Sequence, residues 1–139
     1  MTEDAPRRLS VELPGFGHEN PVPVASRIGP FLASGVLTGR DPVTRELPAD
    51  LDTQCVNLFA HVRALLAAAG GSPDDVLTMT VRLVDYRERE ALNREWAAMF
   101  PDPASRPARQ VVAAELDRGT LVQADLLAVL APSPTKEHP

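Results

Sequence analysis

Length, composition and charge narrow the classes of protein to which this chain can belong. The 139 residues are 44% hydrophobic, enough for one compact domain with a buried core. The formal net charge of -5 disfavours general binding to nucleic acids or anionic membranes, because no basic face compensates for it. A single cysteine excludes an intrachain disulfide and a cysteine-rich zinc site, and the three histidines lack ligand spacing. We therefore expect no metal and no cofactor.

The two ends of the chain carry little structural signal. We expect residues 1–8 and 132–139 to be flexible, because both stretches are polar and lack hydrophobic periodicity. No repeat or linker divides the remainder, so a single domain over residues 1–139 is predicted. No secretion signal and no apolar run of membrane-spanning length is present, so the expectation is a soluble, cytoplasmic protein.

The first half of the chain combines short apolar runs with one long amphipathic stretch. Val24–Ile28 and Phe31–Leu37 are predicted to be strands, and the polar segment Gly39–Pro48 a loop. Asp50 can cap a helix that Gly70-Gly71 closes. The apolar positions of that helix recur at helical spacing: Leu51, Cys55, Leu58, Phe59, Val62, Leu65, Leu66 and Ala69.

The next strand and helix have equally clear periodicities. Val76–Val84 is predicted to be a strand with its buried face formed by Leu77, Met79, Val81 and Leu83. Asp85 and Glu88 have the spacing of a capping box for a second helix, which Pro101 stops. The inner face of that helix is predicted to consist of Leu92, Trp96 and Met99.

An arginine precedes what is predicted to be the last hairpin. Val111–Leu116 and Leu121–Leu130 read as two strands joined by a tight turn at Asp117-Arg118-Gly119, with Arg109 at the mouth of the hairpin. A guanidinium held at a strand edge is suited to binding a planar carboxylate through two parallel hydrogen bonds. An isolated arginine at a strand end is more often simply solvated, so this feature alone does not decide the function.

The predicted elements assemble into one layered fold. Their order is strand, strand, helix, strand, helix, strand, strand, and two helices packed on one face of a four- to six-stranded mixed sheet is the simplest arrangement. The last strand is apolar on both faces, with Leu121, Leu127 and Val129 on the side away from the helices. An uncovered apolar face predicts an oligomer whose pocket lies where subunits meet.

Several short motifs, taken in order, resemble one known family. They are Ala33-Ser34-Gly35, Asp41-Pro42, Leu47-Pro48-Ala49-Asp50, Ala67-Ala68-Ala69-Gly70, Val81-Arg82-Leu83-Val84-Asp85, Asn93, Arg106-Pro107-Ala108-Arg109 and Asp125-Leu126-Leu127-Ala128-Val129. From about Val24 to Val129 the chain resembles the RidA/YjgF family of enamine and imine deaminases, formerly called L-PSP endoribonuclease-like. The resemblance implies a chorismate-mutase-like α+β fold and a homotrimer with a central barrel and a cleft at each interface.

The resemblance also implies roles for particular residues. Arg109 matches the arginine that clamps the substrate carboxylate, while Ser34 and Asn93 match pocket-lining positions. The implied reaction is that of a 2-iminobutanoate/2-iminopropanoate deaminase, in which water attacks an imino acid to give a 2-keto acid and ammonia. Such a reaction needs a carboxylate clamp and a group that positions and deprotonates the water.

The chain departs from the family pattern at two places. Gln123 occupies the position where deaminating members carry a glutamate, and an amide cannot act as a base. Asp125 lies on the same face of the strand and is the candidate substitute. Asn20-Pro21-Val22-Pro23 also lacks the tyrosine that is often found in this segment of the family.

Three functions remain open at this point. The first is imine deamination, and the second is a non-catalytic trimer that binds a 2-keto acid or similar carboxylate. The third, an endoribonuclease, is disfavoured by the acidic charge and the absence of a basic, aromatic surface. The expected partners are a small imino or keto acid and further copies of the chain, with no nucleic acid and no membrane.

Overall fold

The computed structural model describes residues 6–14 and 20–132 and contains one mixed β-sheet with two α-helices. The helices are α1 (Leu51–Ala68) and α2 (Glu90–Met99), and a short 3-10 helix covers Pro73–Asp75. The strands are β1 (Arg8–Val11), β2 (Ala25–Ile28), β3 (Phe31–Ser34), β4 (Leu37–Thr38), β5 (Val76–Leu83), β6 (Ala108–Ala113) and β7 (Val122–Val129). None of the helices in these two described stretches is both long and apolar enough to cross a membrane.

The sheet has the strand order β1-β2-β3-β7-β5-β6, and the short β4 also pairs with β7. β2 and β3 form the predicted hairpin, in which Ile28 pairs with Phe31. β5 and β6 are parallel neighbours joined through α2, as a strand-helix-strand unit requires, whereas the other pairs are antiparallel. The mixed sheet with two helices predicted from the sequence is confirmed, but the described residues form seven strands and not the four to six expected.

The predicted hairpin between the last two strands is wrong. β5 lies between β6 and β7, so Arg109 is not at a hairpin mouth but is the second residue of an edge strand. The reason is the crossover through α2, which delivers β6 parallel to β5 on one side. The following loop then crosses to the other side of β5, where β7 pairs antiparallel. Turn residues indicate where the chain reverses direction. They do not show whether another strand lies between the two strands that the turn connects.

Both ends of α1 follow the prediction. Asp50 is the N-cap, and its carboxylate accepts a hydrogen bond from the backbone N–H of Thr53 at 2.8 Å. At the other end Gly70 adopts a φ of +81°, and the N–H groups of Gly70 and Gly71 donate to the carbonyls of Ala67 and Leu66. This is the Schellman arrangement, in which a left-handed glycine satisfies the last carbonyls of the helix.

The start of α2 differs from the prediction. The capping box between Asp85 and Glu88 does not form, because the helix begins only at Glu90 and its N-cap, Arg89, makes no side-chain capping bond. Asp85 instead closes a turn, with its carboxylate accepting from the N–H of Arg87 at 3.1 Å. The two residues have the spacing of a capping box, but the Asp85 carboxylate is used in a turn that precedes the helix.

Two strands also differ in detail. The predicted strand Phe31–Leu37 is interrupted. Ala33 pairs with Leu127 and Leu37 pairs with Ala124, so the chain advances four residues on this side but only three on β7. The extra residue forms a bulge, which splits the predicted strand into β3 and β4. A second irregularity, between Val76 and Thr78, leaves Leu77 exposed on a strand whose other predicted core residues are buried.

The structured region also extends further toward the N-terminus than predicted. β1 begins at Arg8 and pairs with β2, although residues 1–8 were expected to be flexible. Of the other residues in the predicted flexible ends, 6, 7 and 132 are described but belong to no helix or strand, and residues 1–5 and 133–139 lie outside the described residues.

The core lies between the helices and one face of the sheet. Met79, Val81 and Leu83 of β5 point into it, as do Ala124 and Leu126 of β7. No helix of residues 6–14 and 20–132 covers the opposite face, and apolar side chains remain accessible there, including Phe31 at 56% and Val129 at 37%. The open, partly apolar sheet face predicted from the sequence is therefore present.

Candidate functional site

Arg109 lies on the helix side of the sheet, not in bulk solvent. It is paired in register with the core residue Met79, so its side chain points toward α2. The guanidinium carbon lies 4.9 Å from the centroid of the Trp96 ring, within the range of a cation–π contact. Within the described residues, the buried Nη1 atom has no hydrogen-bond partner. A charged donor that protein groups leave unsatisfied is a candidate ligand-binding group.

The surroundings of Arg109 disfavour its positive charge. Burial lowers the pKa of the guanidinium, and the nearby positive charge of Arg89 lowers it further. None of the three ion pairs found in residues 6–14 and 20–132 involves Arg89 or Arg109. Neither of the two like charges therefore forms an ion pair with a carboxylate of these residues, and an anion bound between them would offset their repulsion.

The backbone around Arg109 is held by neighbouring groups. Arg106 donates from Nε to the carbonyl of Phe100 at 2.7 Å and so ties the end of α2 to the segment before β6. Phe100 packs edge-on against Trp96, with 4.7 Å between the ring centroids. Trp96 itself is buried, which confirms its predicted place on the inner face of α2. Arg109 thus lies against a fixed aromatic surface, which favours a defined guanidinium orientation.

One stripe of α2 approaches Arg109. Arg89, Asn93 and Trp96 are spaced by four and three residues, which places them on one side of the helix. Arg89 lies over the Tyr86 ring at 4.4 Å, and the Asn93 side chain is exposed. Helical spacing therefore places the predicted Asn93 one turn before Trp96, the α2 residue that Arg109 contacts. The same spacing includes Arg89, which lies seven residues before Trp96 but was not predicted from the sequence as a site residue.

Ser34 has a clear local role at the bulge between β3 and β4. Its Oγ accepts a hydrogen bond from the N–H of Leu126 at 2.9 Å and donates to the carbonyl of Gly35 at 2.7 Å. The hydroxyl thus satisfies a backbone donor of β7 where the ladder is interrupted. Both hydrogen bonds hold Ser34 in place beside the central strand, and its side chain stays partly accessible.

Gln123 and Asp125 lie on the open face of the sheet, opposite the face that carries Arg109. They pair in register with Arg82 and Thr80, whose side chains point away from the helices. Asp125 Oδ2 accepts from Arg82 Nη1 at 2.9 Å, so this carboxylate is partly engaged in an ion pair. Within one chain, the structure therefore does not bring Gln123 or Asp125 together with Arg109.

A buried glutamine, not anticipated from the sequence, fixes the start of β7. Gln54 is fully buried on α1, and its Nε2 donates to the carbonyls of Pro48 and Gly119 at 2.7 and 2.8 Å. Its Oε1 accepts from the N–H of Leu121 at 2.9 Å. The side chain thus holds the strand that carries Gln123 against α1.

The only cysteine has no place in this chemistry. Cys55 is fully buried on α1, as its position in the apolar stripe predicted. Burial raises the pKa of its thiol to about 12, and the nearby carboxylates of Glu95 and Asp52 add to the effect. A thiol that stays protonated at neutral pH is a poor nucleophile, so the predicted inert role is supported.

Two surface cavities lie beside the candidate residues without including Arg109. One, of about 450 Å³, is lined by the segments around Pro73 and Phe100–Pro107. The other, of about 400 Å³, lies between the beginnings of the two helices and is lined by the carboxylates Asp50, Asp52, Glu88 and Glu90 and by the two arginines Arg87 and Arg89. Because its carboxylates outnumber its arginines, this cavity is not suited to binding a small acid.

Comparisons with known proteins agree with this architecture. The family model described as Endoribonuclease L-PSP matches residues 24–130. The RutC family protein PH0854 of Pyrococcus horikoshii is 30% identical over 130 residues, covering 92% of this chain and 94% of the relative. The 2-iminobutanoate/2-iminopropanoate deaminase of Escherichia coli is 31% identical over 91 residues, covering 64% and 71%. The crystal structure of RidA from an Antarctic Psychrobacter species matches with a TM-score of 0.80 at 26% identity, covering 88% and 99%.

Proposed function

Because the chain belongs to the RidA/YjgF family, we propose that it hydrolyses small 2-imino acids to 2-keto acids and ammonia. The observation that carries this proposal is the half-buried guanidinium of Arg109, whose Nη1 has no partner among the described residues. The Escherichia coli relative is named for the hydrolysis of two such imino acids, which supports the same substrate class here.

The role proposed for Arg109 is to bind and orient the substrate carboxylate. A carboxylate can accept two parallel hydrogen bonds from a guanidinium fork, which fixes both the position and the plane of the acid. The Trp96 ring beneath the guanidinium limits its rotation. The electrophilic C=N carbon, attached directly to the carboxylate, would then be held at a fixed distance from the attacking water.

The proposed site requires more than one copy of the chain. Arg109 faces α2, whereas Gln123 and Asp125 point to the other side of the sheet, so a site containing all three takes them from neighbouring subunits. A trimer that buries the open sheet faces would also cover Phe31 and Val129, which are accessible in one chain. Oligomerisation is thus part of the proposed mechanism and not a separate property.

The handling of water is the step in which this chain is expected to differ from its relatives. Gln123 can hydrogen-bond a water molecule through its amide but cannot remove a proton. Asp125 has one oxygen bound to Arg82, and its Oδ1 accepts no hydrogen bond from the described residues. That oxygen is available to a water molecule, so the proposed deaminase uses Asp125 or a water network and is slower than a glutamate-containing member.

Gln123 also supports a second candidate function, a trimer that binds 2-keto acids without turnover. In that case the Arg109 clamp would be retained while the hydrolytic step is lost. The ribonuclease activity in the family description has no comparable support, since the chain has a net charge of -5.

A coupled assay separates the two functions. An amino-acid oxidase or a serine/threonine dehydratase generates the imine, and keto-acid release is followed with semicarbazide as a competing trap. Deamination predicts faster release with the wild-type protein, none with Arg109→Ala, and wild-type release with Arg63→Ala, since Arg63 is exposed on α1. Binding of 2-oxobutanoate without acceleration would instead support the non-catalytic function.

Two further variants probe the roles within the site. Arg109→Lys keeps the charge but not the two-pronged donor geometry, so it should remain inactive if orientation of the carboxylate matters. Gln123→Glu should raise the rate if the missing base limits hydrolysis. An unchanged rate in that variant would point to Asp125 or a water network as the group that activates water.

A further inference from the structure

We propose that Arg89 forms a second anion subsite beside Arg109, so that the site selects 2-imino and 2-keto acids that carry a second carboxylate. This inference rests on the proposed function, since it names the substrate class of the same site. It begins from two arginines on facing elements, α2 and β6, each held against an aromatic ring: Arg89 over Tyr86 at 4.4 Å and Arg109 over Trp96 at 4.9 Å. No carboxylate of the described residues lies in ion-pair distance of either guanidinium.

Helix geometry determines how the two cations are arranged. Arg89 and Trp96 are seven residues apart on one side of α2, about 10 Å along the axis at 1.5 Å per residue. Arg109 covers Trp96 at one end of this stripe, and Arg89 extends from the other end over Tyr86. The exposed Asn93 lies between them on the same stripe. The three side chains therefore line a short surface with a cation at each end and an amide between.

Carboxylates line the cavity at the beginnings of the two helices, but none of them pairs with Arg89. The cavity is lined by Asp50, Asp52, Glu88 and Glu90 together with Arg87 and Arg89. None of these carboxylates is within 4 Å of the Arg89 nitrogen atoms among the ion pairs of residues 6–14 and 20–132. The positive charge of Arg89 also acts on Arg109, whose pKa it lowers. An anion placed between the two arginines would therefore interact with both positive charges.

The Arg89 side chain does not cap the helix at which it lies. It occupies the N-cap of α2 but makes no side-chain capping hydrogen bond. The positive charge of Arg89 acts on the half-buried guanidinium of Arg109, and this repulsion disfavours the unliganded protein. A dianion with one carboxylate on each guanidinium removes this repulsion, whereas a monocarboxylate neutralises only one of the two charges.

The test compares two ligands of equal length that differ in one group. 2-Oxoglutarate and 2-oxopentanoate both have five carbons, and only the first ends in a carboxylate. Calorimetric titration of the full-length protein should give about tenfold or greater preference for 2-oxoglutarate, as expected for one additional charge-assisted interaction. In Arg89→Gln that preference should fall to about twofold or less, while the affinity for 2-oxopentanoate stays within about twofold of wild type.

Arg87→Gln is the matched control, because it makes the same change of charge two residues away. Arg87 is 90% exposed and lies 3.8 Å from Asp85, outside the α2 stripe. It should keep the preference for 2-oxoglutarate. Loss of the preference in both variants would mean that only the long-range potential matters, and would overturn the assignment to Arg89.

Two other results would also overturn the inference. Equal affinity of the wild-type protein for the two ligands would exclude a second subsite. An equal loss of both ligands in Arg89→Gln would place Arg89 in the clamp for the first carboxylate. In either case, imine hydrolysis that depends on Arg109 would leave the proposed function intact. Absence of hydrolysis together with a retained preference for 2-oxoglutarate would remove only the catalytic proposal.

Discussion

Replacing Arg109 with methionine should separate stability from ligand binding. The Nη1 atom is buried without a partner in the described region, which costs about 1–3 kcal/mol for an unsatisfied donor. The cation–π contact with Trp96 stabilises the folded protein by about 0.5–1 kcal/mol. Methionine keeps an unbranched apolar chain against the ring and removes the unsatisfied group. We therefore expect the free energy of unfolding to stay the same or to rise by up to about 2 kcal/mol.

Ligand-dependent unfolding provides the second half of this prediction. If Arg109 binds the carboxylate, a keto acid at about 100 times its Kd should stabilise the wild-type protein by about 2.7 kcal/mol. Arg109→Met should show none of this stabilisation. The measurement is chemical unfolding with and without 2-oxobutanoate, with Arg63→Met as the control on the exposed side of α1. Destabilisation of Arg109→Met by more than about 1 kcal/mol, or stabilisation by the keto acid in that variant, would refute the reasoning.

Four further predictions concern stability and the buried thiol. Trp96→Ala should lower the free energy of unfolding by about 3–5 kcal/mol in denaturant titrations, because the ring is buried against Phe100; a loss below about 1 kcal/mol would contradict that packing. Gln54→Leu should cost at least about 1–3 kcal/mol in the same measurement, since the buried N–H of Leu121 loses its acceptor; an unchanged stability would show that water replaces the amide. Cys55 should resist a thiol-specific disulfide reagent at pH 8 until the protein unfolds, and rapid labelling of the folded protein would disprove its burial. Because folding raises the thiol pKa from 9.0 to about 12, the associated stability is complete below pH 9 and lost as the pH rises toward 12, so Cys55→Ala should unfold with a weaker dependence on alkaline pH.

A local sequence motif predicted Arg109, but no comparable signal in the sequence indicated Arg89 or Gln54. Arg109 was predicted from the sequence because it follows Pro107 at the start of a strand, and the family that the chain matches is the one that its motif resembles. Its cation neighbour, Arg89, was not selected, because a half-exposed arginine before a helix has no distinguishing local pattern. Only the tertiary contact between Arg109 on β6 and Trp96 on α2 relates the two arginines, which come from separate segments of the chain. The buried Gln54 was overlooked for the same reason, since its three partners come from distant segments.

Periodicity and capping determined the elements of this protein without any knowledge of the fold. The helical stripe of α1, its Asp50 cap and its Gly70 ending depend on interactions within a few residues, so they are readable in the sequence. The alternation in β7 likewise predicted both a buried and an open face. These features are local because backbone hydrogen bonds and side-chain direction repeat with a fixed period.

The tertiary structure decided the pairing of strands and therefore the geometry of the site. A turn between β6 and β7 is compatible with a hairpin, but β5 lies between them because the crossover through α2 places β6 parallel to it. That arrangement turns Arg109 toward Trp96 and leaves Gln123 on the other face of the sheet. Strand order depends on contacts between residues far apart in the chain, which no local pattern encodes.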